Sequence, residues 1–318
     1  GFDLAYDIKK LNSIFPTLLG DFQNYYYDFK TTDFDNIISP LLPAAKSLKP
    51  YLAEMRIVKS AEEIRLMKLA AEISVTAHKQ AMQQACGGLF EYEIASLFDG
   101  YFRKNNAEHA YTPIVAGGKN ACVLHYIKNN QRLNSGELLL IDAGCEVEGY
   151  AADISRTFPV NGKFTSAQAE IYQIVLNAQK AAIESICPNE IVTQPHQIAL
   201  KIIQQGLLDL GILQAGDDVK KFYMHNTGHW LGLDVHDAGE YKINQQPRRF
   251  AAGMVITVEP GIYIRKDAKI DPIYWNIGVR IEDDVLVTEN GNSVLSGELP
   301  KEINEIEKLM SKKIKQII

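Results

Sequence analysis

Cysteine is scarce: the chain of 318 residues has four, Cys86, Cys122, Cys145 and Cys187, and no two of them form a CxxC pair. A disulfide framework is not expected at this length, and a reducing compartment fits best, the cytoplasm first. Long apolar runs are also missing, as is a secretory leader, so neither a membrane span nor a membrane partner is expected. Positive charge falls short of negative, with 33 Lys+Arg against 39 Asp+Glu and a net charge of −6. A nucleic-acid-binding chain would carry a basic stripe; none is visible, which argues against that partner. An initiator methionine is lacking too, since the chain opens on Gly1, and we expect a processed product or an expressed fragment.

What is present is an ordinary globular composition, 46% hydrophobic and 23% charged, long enough for a large core or two domains. Residues 1–55 stand apart, rich in aromatics (Tyr25, Tyr26, Tyr27, Phe29) and broken by Pro16, Pro40, Pro43 and Pro50. LNSIFPTLLG predicts a short helix and DFQNYYYDF a strand. This piece is too short to make a comfortable domain, and it reads as the remnant of a truncated N-terminal domain. Residues 56–318 form the main domain.

Ser60 followed by Glu63 is a capping box that opens a helix, and YEIASLFDGYFRKNN predicts a second. TPIVAGG, CVLHY, ELLLIDAGCEV and GYAADISRTF read as strands. A long helix is expected from Ser166, with Glu170 in its first turn, and another through HQIALKIIQQGLLDLGI to Gly211. MVITVEPGIYI and GVRIEDDVLVTE read as two apolar strands, and KLMSKKIKQII as an amphipathic terminal helix.

One internal repeat organises the rest. Residues 136–144, GELLLIDAG, align without a gap to residues 253–261, GMVITVEPG. Each copy has a glycine, a mostly apolar strand, a carboxylate (Asp142 or Glu259), one spacer and a glycine. Each carboxylate is followed downstream by another, Asp153 or Glu282. The pattern implies an α+β architecture of two similar halves, their strands joined into one curved antiparallel sheet, with helices outside and carboxylates inside.

The four carboxylates carry the chemistry. Asp142 and Asp153 flank a polar turn around residues 146–149, and a hairpin centred there would set them directly opposite each other, about 5 Å apart at Cβ. Two buried carboxylates so close repel unless a cation lies between them. Glu259 and Glu282 end apolar strands in the same way. Asp283 and Asp284 compete with Glu282; alternation turns Asp283 to the opposite face and sets Asp284 one pleat further on the same face. In HNTGHWLGLDVHD the His225/His229 spacing would suit a helical zinc motif, but Asn226, Gly228 and Gly232 argue for a loop presenting histidines to a cavity. Cys145, three residues after Asp142, is expected to be a buried small hydrophobe rather than a ligand.

These segments, with RIVKSAEEI and ACVLHY, make residues 56 to about 295 resemble the catalytic domain of the metallopeptidases with the pita-bread fold. The resemblance is strongest to the Xaa-Pro aminopeptidase branch. It implies that Asp142 chelates one metal, that His229 and Glu259 bind a second, and that Asp153 and Glu282 bridge the two. It implies that His125 and His236 stand beside the metals to position substrate and move protons, and that Glu259 relays a proton. His225 would line the proline side of the pocket. Arg280 would steady the bridging carboxylate, bind substrate, or make a structural salt bridge. The cofactor implied is a pair of divalent ions, manganese first given the oxygen-rich ligand set. The substrates implied are peptides with proline in second place, cleaved before that proline, and the full-length protein would be a homo-oligomer. A prolidase acting on Xaa-Pro dipeptides is the main alternative; a metal-free binding protein on the same fold is the other.

Overall fold

The structure is a computed structural model that describes residues 4–20, 22–27, 36, 39–40, 42 and 44–312. The chain divides into two compact units, Gly1–Met55 and Arg56–Ile318. In the first unit a helix spans Leu11–Leu19, and a short parallel pairing joins Tyr26–Tyr27 to Lys46–Ser47. Among the described residues of the expected DFQNYYYDF strand, Tyr26 and Tyr27 alone take strand form; its positions 21, 28 and 29 lie outside the described residues.

In the second unit, helix α1 (Ala61–Gln84) begins at the expected box: Glu63 N–H donates to Ser60 Oγ, and Ser60 N–H donates to the Glu63 carboxylate. Helix α2 (Glu91–Lys104) follows, and then strand β1 (Ile114–Gly117). The CVLHY segment is not a strand. Gly118–Cys122 forms a 3₁₀ turn, and His125 sits in the loop beyond it. Gly118 has a φ of +52°, which tightens the chain where a strand would have run straight.

Strand β2 (Leu138–Asp142) lies between β1 and a later strand, followed by the short pair β3 (Cys145–Val147) and β4 (Tyr150–Ala151) and then by β5 (Ser155–Pro159). GYAADISRTF is thus two strands, broken at residues 152–154. Asp142 pairs with Ser155, and Glu146 with Ala151, in a single continuous antiparallel register. The turn is Glu148-Gly149, both at positive φ, the geometry of a two-residue hairpin loop. Asp142 and Asp153 are therefore not directly opposed. The turn centre lies one residue later than the polar cluster suggests, which moves the pairing by two. An offset of two preserves the face, so the carboxylates are diagonal neighbours on one side of the sheet. Gly144 lies across from Asp153, where a Cβ would fall 1.8 Å from the Ala152 carbonyl oxygen.

Helix α3 (Ser166–Glu184) is capped by Thr165 with Gln168, not by an acidic first turn. Helix α4 (Gln194–Asp209) precedes the second half of the sheet. There β6 (Val255–Val258) and β7 (Gly261–Ile264) are separated by Glu259-Pro260, and β8 (Ile277–Arg280) and β9 (Asp283–Thr288) by Ile281-Glu282. The two expected long strands are each interrupted at the carboxylate. Val258 pairs with Asp283 and Gly261 with Arg280, so the register carries Glu259 opposite Glu282. The halves are sewn together at β5: Glu282 N–H donates to the Ser155 carbonyl, and Thr157 Oγ exchanges bonds with the Arg280 backbone. Strand β10 (Gly291–Val294) and helix α5 (Ile303–Ser311) complete the unit. Residues 313–318 of the expected terminal helix lie outside the described residues.

The outer face of the sheet packs under the helices, with Phe98, Ile171, Val175 and Leu176 fully buried. Asp283 points to that side, as alternation requires. It is held by Arg156 (2.6 Å), Lys301 (2.7 Å), Gln179 (2.6 Å) and Ser296 (2.7 Å). Burial opposes its charge, but Arg156 and Lys301 win and hold its carboxyl down at about 2. Cys145 is likewise buried on the helix side, its thiol against the Ala70 carbonyl.

Candidate metal centre

The inner face collects the polar groups. Residues 227–231 run antiparallel beside β6: Thr257 N–H donates to the His229 carbonyl and Glu259 N–H to the Thr227 carbonyl. His225 and His229 are on extended and loop backbone, with no helix. The close approach needs Gly228, where a Cβ would fall 1.9 Å from the Thr257 oxygen. This register sets His229 opposite Thr257, so its ring shares the face of Glu259, two residues along. His229 Nδ1 lies 3.0 Å from the Trp230 carbonyl, which requires the proton on Nδ1 and leaves Nε2 as the group that can bind a cation.

Asp153, His229 and Glu282 each present a ligand atom, all within 4.8 Å of one another. Asp153 Oδ2 is 3.3 Å and Glu259 Oε1 3.8 Å from His229 Nε2. Asp142, Asp153, His229, Glu259 and Glu282 all line one cavity of about 560 Å³, together with His125, His225, His236 and Arg280. The His229 and His236 rings are 4.2 Å apart between centroids. His225 Nδ1 is 3.6 Å from Glu259, and its Nε2 is 2.9 Å from the Tyr263 hydroxyl.

Arg280 makes its ion pair with Asp142, at 2.6 Å, rather than with Glu282. It reaches Glu282 through Ser155: Arg280 Nε donates to Ser155 Oγ (2.8 Å), which donates to Glu282 Oε2 (2.6 Å). Its remaining nitrogen donates to Tyr263 (3.1 Å), so the buried guanidinium is bonded to protein on every arm. The geometry thus pairs Arg280 with Asp142 directly and links it to Glu282 through one hydroxyl.

Several groups at the centre were not assigned a part from the sequence. Tyr111 donates to Asp142 Oδ1 at 2.6 Å. Ser155 and Tyr263 link Arg280 to the rest. Asp284, fully buried, accepts from Asp153 N–H at 3.2 Å. His196 bonds to Thr227 at 2.8 Å on the cavity wall. Of these only Asp284 carried a signal, since it lies two residues from Glu282 on the same strand face. Ser155 and Tyr263 lie two and four residues from Asp153 and Glu259 but are polar residues of an ordinary kind, and Tyr111 and His196 come from segments far from their partners in sequence.

The charge balance shows what the site lacks. Burial, reinforced by Asp153 and Asp142, lifts the Glu259 carboxyl to about 7 against the pull of His229 and Arg280. Burial followed by Asp153 and Glu259 raises Glu282 well above the carboxylate range, and burial raises Asp142 despite Arg280. Burial opposes the charge on Asp153 as well, yet the bond to His229 keeps its carboxyl low. The same contact overcomes burial at His229 and raises it to about 9. Four carboxylates, two buried (Asp153, Glu282) and two half-buried (Asp142, Glu259), with one guanidinium and one imidazole are short of positive charge. Divalent cations of the hard or borderline kind fit that donor set.

Residues 65–289 match metallopeptidase family M24. The chain belongs to that family. It is 47% identical to the Xaa-Pro aminopeptidase of Haemophilus influenzae, over 96% of this chain and 74% of the relative. It is 44% identical to the Xaa-Pro aminopeptidase of Escherichia coli, over 82% of this chain and 61% of the relative. Aminopeptidase PepP from Pseudomonas aeruginosa is superimposable at a TM-score of 0.92 with 42% identity, covering 98% of this chain and 76% of that one. The fold is thus the pita-bread α+β fold that the resemblance implied. No helix among the described residues is long and apolar enough to cross a membrane.

Proposed function

We propose that this chain is a metal-dependent Xaa-Pro aminopeptidase, which hydrolyses the bond before a proline in second place. The observation that carries the reading is the convergence of Asp153, His229 and Glu282 within 4.8 Å in a chain 47% identical to an Xaa-Pro aminopeptidase. We assign Asp142 to one ion, His229 and Glu259 to a second, and Asp153 and Glu282 to both, with manganese as the metal. When bound, the ions supply Lewis acidity and an activated water.

The chain's own groups do the rest. Glu259 accepts the proton of the attacking water and passes it on. Burial and then the neighbouring His229 lower His236, so it is neutral at neutral pH and can accept or donate at the scissile group. Burial and then Arg280 hold His225 down to about 4, and its ring packs beside those of Tyr223 and Tyr263 in a cavity that Leu124 also lines, a surface suited to a proline ring. His125 stands on the cavity rim, where it can hold a peptide carbonyl. The bond before proline is a tertiary amide, so recognition rests on ring shape, and the leaving secondary amine must take up a proton.

The test compares Xaa-Pro with Xaa-Pro-Yaa peptides after manganese is restored and the metal content measured. Cleavage of the tripeptides supports the reading, whereas cleavage of dipeptides alone makes the protein a prolidase. Purified protein that binds no divalent metal would return the metal-free alternative. Asp153→Asn should lower tripeptide hydrolysis at least about a hundredfold if it bridges; an unchanged rate removes that assignment. Assembly of the longer protein as a homo-oligomer and a cytoplasmic location remain part of this proposal.

A further inference from the structure

Glu91, the first residue of α2, has a fully buried side chain. It accepts four hydrogen bonds, all from neutral donors. Oε1 takes Gly117 N–H (2.8 Å) and Asn120 Nδ2 (2.9 Å). Oε2 takes the Tyr126 hydroxyl (2.7 Å) and Gln131 N–H (2.9 Å). The Glu91 N–H in turn donates to the Gln131 carbonyl at 2.9 Å. Buried carboxyl oxygens need hydrogen-bond partners, and here all four donors come from one stretch of chain, residues 117–131.

That stretch carries His125. Its ring is exposed at the rim of the metal cavity, so its position comes from the backbone that bears it. On one side Leu124 packs against a small buried cluster that includes Ile114, Tyr126 and Tyr263. On the other side Tyr126 is tied to Glu91. Burial first, and then the bond to Glu91, push the Tyr126 hydroxyl up to about 12, so it stays a donor across ordinary pH.

We propose that Glu91 is a positioning residue for His125: one buried carboxylate at the start of α2 sets the shape of the 117–131 loop and thereby aims the imidazole into the cavity. The proposal rests on the reading of His125 as a group that meets substrate. Glutamine has the same shape but only one acceptor oxygen, and its NH₂ would face two donors that need an acceptor. Glu91→Gln should therefore shift the loop rather than unfold the domain.

The experiment is a double-mutant cycle of Glu91→Gln and His125→Ala, with kcat and KM measured on an Xaa-Pro-Yaa tripeptide in manganese. Glu91→Gln is expected to lower kcat/KM about 10–100-fold with metal content unchanged. In the His125→Ala background it should cost less than about twofold, because the group it serves is gone. Losses that multiply in the double variant, or a Glu91→Gln enzyme as fast as wild type, overturn the proposal. An innocuous His125→Ala would instead overturn the role of His125 itself. Tyr126→Phe, which leaves three of the four bonds, should retain the fold and show a smaller loss that also vanishes in the His125→Ala background; a persistent loss counts against the idea. A readout independent of turnover is the His125 imidazole ¹⁵N signal, identified by its disappearance in His125→Ala. It should move or broaden in Glu91→Gln, and an unmoved signal refutes the positioning.

Discussion

Ser155 occupies, opposite Asp142, the place that Glu282 occupies opposite Glu259, and its hydroxyl reaches across to donate to that same Glu282 at 2.6 Å. The two halves of the repeat are thus equivalent in register but not in chemistry. Asp153, across from Gly144, falls where Arg280 stands across from Gly261 in the second half, and its N–H donates to Asp284 at 3.2 Å. Each half contributes one inner carboxylate pair, yet the positions are staggered: diagonal in the first half and directly opposed in the second.

This relation predicts the consequence of Ser155→Ala. The change removes the donor to Glu282 and the acceptor of Arg280 Nε, while leaving every proposed ligand in place. Groups that orient metal ligands typically change affinity 10–100-fold when lost. Manganese affinity, read by calorimetric titration, should weaken about tenfold with little change in thermal stability. Undiminished affinity would mean that the Ser155 bond does not orient Glu282.

The loop bearing His236 is held by a buried ion pair. Lys59 Nζ lies 3.1 Å from Asp237 Oδ2, both side chains are 1% exposed, and Arg56 also pairs with Asp237. Burial lowers the Lys59 ammonium, and Asp237 counters that pull. Asp237→Asn leaves a buried cation without its partner and should destabilise the domain by about 3–5 kcal/mol. Replacing both, as Lys59→Met with Asp237→Leu, should restore part of that loss. Urea unfolding of the single and double variants measures both quantities; a single variant as stable as wild type would show the pair to be dispensable.

Acid stability should depend on His78. It is fully buried, its Nε2 lies 2.9 Å from the Ala143 carbonyl, and burial holds it down to about 3. Its ordinary value is 6.5. Between those values the unfolded chain binds a proton that the folded chain refuses, so stability falls as pH drops from 6.5 towards 3. Each unit costs about 1.4 kcal/mol, or about 2 kcal/mol at pH 5. His78→Gln retains a donor for Ala143 and cannot titrate. The stability difference between wild type and variant should therefore shift in favour of the variant by about that amount between pH 7 and pH 5. A difference independent of pH would show that His78 takes up its proton without penalty in the folded protein.

The sequence carried the identity of the inner carboxylates because strand alternation and the repeat are local. Apolar residues at every second place assign Glu282 and Asp283 to opposite faces, and the structure puts Asp283 among Arg156, Lys301 and Gln179 beneath α3. The helix starting at Ser60 was legible for the same reason, its cap being a contact three residues long. The CVLHY segment was misread because its apolar residues suit a strand, whereas Gly118 at positive φ and the bonds to Glu91 fold it into a turn.

By itself, then, the sequence determined which side chains could hold cations and the two-halved plan, since these depend on residue type, spacing and periodicity, and it carried the segments that resemble the family. Only the tertiary structure decided the stagger of Asp142 against Asp153, the attachment of Arg280 to Asp142, and the parts played by Tyr111, Ser155 and Glu91. All but the stagger, which is set within one hairpin, are contacts between segments far apart along the chain. They depend on where a turn centres and which strands meet, and no local pattern encodes either.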